Sequence, residues 1–131
     1  MVTIEQVEEM VAGLPDVSAG IRHGNRTWFV GTTAFAWERP FSKADLRRFG
    51  AEPVPAGPIL ALKVDDLEDK AAVLAARHRG FFDIEHFSGY AAVLVQLRVA
   101  APGVVRTSII DAWLAAAPRA LAEAWITGER R

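Results

Sequence analysis

The chain has 131 residues, 51% of them hydrophobic and 24% charged, with no cysteine and a formal net charge of −1. Length and composition fit one globular domain over residues 1–131. The lack of cysteine excludes disulfides, thiolate metal sites and a thiol nucleophile, and the near-neutral balance lacks the basic excess of a dedicated nucleic-acid binder.

No apolar run reaches the roughly 20 residues of a membrane-spanning helix. The acidic start lacks the basic and apolar regions of a secretory signal, so a cytoplasmic protein with no membrane partner is expected. Charge is uneven along the chain. Residues 1–16 carry Glu5, Glu8, Glu9 and Asp16 with no lysine or arginine, whereas residues 22–48 carry six cations against Glu38 and Asp45.

Thr3 and Gln6 have the spacing of a capping box. Ile4, Val7, Met10, Val11 and Leu14 then recur at helical spacing, and Pro15 ends the helix. Val17–Arg22 reads as a short strand or connector, broken by Gly20 and Gly24. Arg26–Val30 and Thr33–Arg39 read as two strands around Gly31-Thr32, a pair suited to a type II′ hairpin. A simple register sets Val30 opposite Thr33, Trp28 opposite Phe35 and Arg26 opposite Trp37. It places Arg26, Trp28, Val30, Phe35 and Trp37 on one face and smaller residues on the other.

Ser42 caps a short helix with Asp45 in its first turn. Leu46 and Phe49 face inward, Lys43, Arg47 and Arg48 outward, and Gly50 stops it. The proline-rich stretch 51–58 is a loop. Ile59–Val64 is a strand, followed by a helix capped by Asp65 or Asp66 with the stripe Leu67, Ala71, Leu74, Ala75 and His78. Phe81–Phe87 reads as a strand or irregular turn, and Tyr90–Val99 as a strong strand. Val104–Ala117 is an almost wholly buried helix striped by Val105, Ile109, Ala112, Trp113 and Ala116. A last turn or two over Ala120–Ile126 pairs Leu121 with Trp125, and Glu129–Arg131 frays. This order predicts an α+β domain with a mainly antiparallel sheet flanked by N-terminal, middle and C-terminal helices.

Residues with catalytic chemistry do not assemble into a pattern. No Gly-x-Ser-x-Gly accompanies His23, His78 or His86. Asp83 and Glu85 alternate to one side of a strand and His86 to the other, which specifies no metal set. Walker and dinucleotide glycine motifs are absent. No catalytic residue, metal site or cofactor is therefore expected. The basic and aromatic sector offers the remaining chemistry, in which guanidinium and ammonium groups meet phosphates and an aromatic face stacks a base. The candidates are Arg22, Arg26, Lys43, Arg47 and Arg48 for phosphate, with Trp37 as the stacking platform. The same aromatics also suit core packing, and Arg26 with Trp37 an internal cation–π pair.

Together HGNRTWFVGTTAFAWERPFSKADLRRFG, GPILALKV, FFDIEHFSGYAAVLVQL and DAWLAAAP resemble the YjbR/MmcQ family from about Val7 to Leu121. The resemblance implies a YjbR-like fold of frataxin-like shape, with helices flanking an antiparallel sheet, and a DNA-binding label. It supplies no defined activity. Where many relatives follow Gly-Tyr with polar and basic residues, this chain has Ala91-Ala92-Val93 after Gly89-Tyr90. The leading expectation is a non-catalytic binding module with weak, salt-sensitive, sequence-tolerant affinity for DNA. Two alternatives stand beside it. One is a protein–protein or self-association module using aromatics around Phe81–Tyr90 or the late helices. The other is a small-molecule pocket beneath the hairpin, lined by Trp28, Phe35, Phe82 and Tyr90.

Overall fold

A computed structural model describes residues 1–129, so the expected fraying at Arg130 and Arg131 lies outside the described residues. Its elements are α1 (Ile4–Ala12), β1 (Val17–Arg22), β2 (Asn25–Val30), β3 (Thr33–Glu38) and α2 (Lys43–Phe49). There follow β4 (Ile59–Lys63), α3 (Leu67–Ala75), β5 (Phe81–Phe82), a 3-10 turn (Glu85–Phe87), β6 (Ala92–Gln96), α4 (Pro102–Ala116) and α5 (Arg119–Glu129). The protein is α+β. Among the described residues six strands form one antiparallel sheet in the order β1-β2-β3-β4-β6-β5.

Alternation along the two central strands explains the layers. Leu60 and Leu62 of β4 and Val93 and Val95 of β6 enter the main core, whereas Ile59, Ala61, Ala92 and Leu94 enter a smaller cluster on the other face. The main core is closed by α1, which buries Val7, Met10 and Val11, and by α4, which buries Val105, Ile109, Ala112 and Trp113. Both stripes follow the helical spacing of the sequence. The Thr3–Gln6 capping box forms as expected. The Trp113 indole donates to the Pro15 carbonyl at 3.0 Å and packs edge-on against Trp125 of α5.

The hairpin β2–β3 departs from the simple register. Val30 pairs with Thr33 and Phe29 with Ala34, but Trp28 then pairs with Ala36 and Thr27 with Trp37. Phe35 is the extra residue of a β-bulge. A bulge reverses which residues face which side beyond it. Phe35 and Ala36 are both fully buried in the main core with Trp28, and Trp37 moves to the opposite face. Arg26 consequently meets Glu38, with Nε 3.3 Å from its carboxylate, rather than Trp37.

Other elements differ in detail from the expectation. Val17–Arg22 is a regular edge strand, joined to β2 by the two-residue loop His23-Gly24. Both loop residues have positive φ, 53° and 78°; histidine is among the residues that tolerate this region, and glycine enters it freely. In α2 the buried residue is Asp45, while Leu46 is exposed. In α3 Leu67, Ala71, Ala75 and His78 lie at the surface, and the inward residues are Lys70, Val73 and Leu74. The late strand is trimmed to Ala92–Gln96, and α5 is longer than the expected last turn or two.

Candidate functional site

The face opposite α1 and α4 is only partly covered. Phe41, Phe82, Phe87 and Ile84 cover β4 and β6, and α2 packs against the 3-10 turn. Over β1, β2 and β3 this face stays open, leaving a cleft of about 670 Å³. Arg22 and His23 line it from the first hairpin, and Asn25 and Thr27 from β2. Trp37, Arg39, Pro40 and Ser42 form the wall running from β3 into α2, and His86, Phe87 and Tyr90 the opposite one.

Each wall has a local cause. The Asn25 side chain donates to the His23 carbonyl at 3.2 Å, and the buried Thr27 hydroxyl donates to the Asn25 carbonyl at 3.0 Å, so the hairpin end is held from within. Bulge geometry turns Trp37 into the cleft, where its ring lies 6.4 Å from that of Tyr90 at 54°. Tyr90 is 47% exposed and stands edge-on to Phe87, 5.3 Å away. The Arg39 guanidinium sits 5.5 Å from the centre of the Phe87 ring, a cation–π distance.

Two buried ionic contacts fix these walls. Arg39 Nη1 lies 2.9 Å from Asp45 Oδ2. Asp45 Oδ2 also accepts from the Ser42 backbone N–H at 2.8 Å, completing the capping box of α2. Burial raises the Asp45 pKa, but the Ser42 N–H and the Arg39 charge outweigh it and leave the carboxyl below its ordinary value. On the other wall Lys70, 5% exposed, donates to the carbonyls of Phe87 and Tyr90 at 2.7 and 2.8 Å. Its Nζ also lies 3.1 Å from Asp83.

The structure separates the six residues singled out in the sequence. Arg22 and Trp37 meet at the cleft. Arg26 is on the opposite face, bonded to Glu8 and Glu38. Lys43 and Arg47 are exposed on α2. Arg48 lies 3.8 Å from Asp45 and 3.9 Å from Glu85. The aromatic pocket beneath the hairpin does not form as expected, because Trp28 and Phe35 fill the main core while Phe82 packs on the other face. Arg39, His86 and Tyr90 join the cleft across long sequence separations. No local motif announces them.

Among the described residues, no three histidine or carboxylate side chains come together in a way that could hold a metal ion, and no helix is long and apolar enough to cross a membrane. No family model matches the chain, and no solved structure matches it significantly. Uncharacterized protein Mb2600 of Mycobacterium bovis and uncharacterized protein Rv2570 of Mycobacterium tuberculosis are each 38% identical to it over 129 residues. Each alignment covers 96% of this chain and 97% of the relative. Similarity of that degree along almost the entire length shows kinship: the chain belongs to the family of these mycobacterial proteins.

Proposed function

We propose that the protein is a YjbR/MmcQ-like binding module working in the cytoplasm, and that its open cleft binds single-stranded DNA weakly and with little sequence preference. The observation that carries this reading is the pairing of Trp37 with the half-exposed Tyr90 on an uncovered sheet face, with Arg22 at the rim. Aromatic faces stack any base that is free of a duplex, and an arginine beside them meets the adjoining phosphate. The cleft volume, about 670 Å³, is within the range of a small-ligand site, which suits one or two nucleotides rather than a duplex.

The experiment is a fluorescence titration with short single-stranded and duplex oligonucleotides at low and moderate salt. Single strands quench Trp37, and affinity falls with salt along a shallow slope, since few phosphates are neutralised. Trp37→Leu removes the quench and weakens binding several-fold, and Arg22→Gln flattens the salt dependence. A flat titration at low salt with every strand overturns the reading.

A further inference from the structure

The edge strand β1 carries a second inference, which shares only Arg22 with the cleft. The two-residue loop His23-Gly24, with both φ values positive, is a type I′ hairpin turn. Arg22 and Asn25, which close such a loop, form a hydrogen-bonded pair, and bonded pairs alternate along an antiparallel ladder. Ser18, Gly20 and Arg22 therefore bond to β2. Val17, Ala19 and Ile21 turn their N–H and C=O groups to the free edge.

Natural edges are blunted by prolines, bulges, inward charges or brevity. The far edge, β5, is only two residues long. β1 has six residues, pairs with β2 without a break in register, and has neither proline nor charge from Val17 to Ile21. Ile21 is 72% exposed.

We propose that this strand pairs with the β1 of a second copy, antiparallel about a twofold axis at Ala19. In that register Ala19 meets Ala19, and Val17 meets Ile21 of the second copy. All three outward residues then meet outward residues, and each N–H and C=O is bonded. A one-residue slip sets outward groups against inward ones and breaks the ladder. A two-residue slip leaves one outward residue of each strand without a ladder partner, facing Pro15 or the turn residue His23. The favoured register also brings exposed Asp16, the residue just before β1, near exposed Arg22 of the second copy at both ends of the pair, so opposite charges meet there. Side-chain and main-chain complementarity thus select one occupant and one register.

Sedimentation of the full chain across a wide concentration range tests this without any oligonucleotide. A reversible dimer is expected. Ala19→Pro removes an outward N–H that β2 does not use, and Ile21→Lys adds an edge charge; each weakens the dimer at least tenfold while the far-ultraviolet spectrum stays that of the parent. Val54→Lys, at an exposed site in the loop between α2 and β4, leaves it unchanged. In the otherwise cysteine-free chain, Ala19→Cys places one thiol on the axis, with Cα atoms ~5.5 Å apart as in a bonded pair. A short bis-maleimide, each of whose double bonds takes up one S–H, then joins two copies, and a Val54→Cys control stays single. A parent chain that remains monomeric throughout overturns the proposal. So does a dimer indifferent to both edge variants, or one that Ala19→Cys fails to cross-link.

Discussion

Arg39 and Asp45 form an ion pair, Nη1 to Oδ2 2.9 Å, that joins the end of β3 to the first turn of α2. The carboxylate is almost fully buried and the guanidinium partly so, so an amide at this position can still accept the Ser42 N–H but leaves the poorly solvated Arg39 cation without its countercharge. Asp45→Asn should destabilise the protein by about 2 kcal/mol, below the range for fully buried pairs because water reaches Arg39. Urea unfolding measures it. The sign with pH follows from the depressed pKa. The stabilisation is fully present above the ordinary carboxyl value of 3.8 and is lost as pH falls through the lower, folded value. The difference between parent and variant should therefore shrink in acid.

Lys70 acts on the other wall. Lys70→Met keeps the length of the side chain but removes its bonds to the Phe87 and Tyr90 carbonyls, which retain the Tyr90 and Ala92 N–H groups, and leaves Asp83 without its cation. A loss of about 1–3 kcal/mol is expected from the lost charge-assisted bonds. Hydrogen exchange should show faster opening confined first to residues 83–90, with β4 protected as in the parent. Uniform protection across 83–90 would mean that Lys70 does not hold the wall.

Asp111 of α4 lines a groove of about 320 Å³ with Asp65 and Asp69. Burial, and then the negative charge of Asp69, raises its pKa above 3.8. A raised carboxyl pKa weakens folding as pH climbs through it. Asp111→Asn should stabilise the protein at neutral pH by less than ~1 kcal/mol, since the exposed carboxyl is screened. The gain should vanish below pH 3.8. Thermal melts at the two pH values test both halves of the expectation.

Gly80 shows a backbone constraint. Its φ is +89°, and a Cβ there would lie 2.8 Å from the Gln96 carbonyl oxygen and 3.1 Å from a Val99 methyl. Neither neighbour moves freely, because the Gly80 carbonyl accepts from the Gln96 N–H at 2.7 Å. Gly80→Ala should cost at least ~2 kcal/mol through left-handed strain and crowding, visible as a lower Tm. An unchanged Tm would show that the turn relaxes.

Local physics made much of this legible. The capping box of α1 and the stripes of α1 and α4 follow from spacing, and β4 and β6 fall within the strands expected from their apolar runs. The Gly31 turn was legible too, but the bulge at Phe35 was not. Both registers satisfy short-range pattern, and only tertiary packing of Phe35 beside Ala36 selects one. That single residue decides which face carries Trp37. Lys70 escaped notice because a buried lysine is intelligible only once Phe87 and Tyr90 are known to sit over it. The cleft likewise depends on Arg22, Trp37 and Tyr90 meeting from three separate segments.

The most direct test of the binding proposal is an NMR titration of the full chain with a short single-stranded oligonucleotide at low salt. The account predicts that the Trp37 indole and the amides of Asn25, Thr27 and Tyr90 shift together and saturate together, while the indoles of Trp28 and Trp113, buried on the other side of the sheet, stay in place. No shift at any concentration, or shifts confined to surfaces away from the cleft, would contradict it.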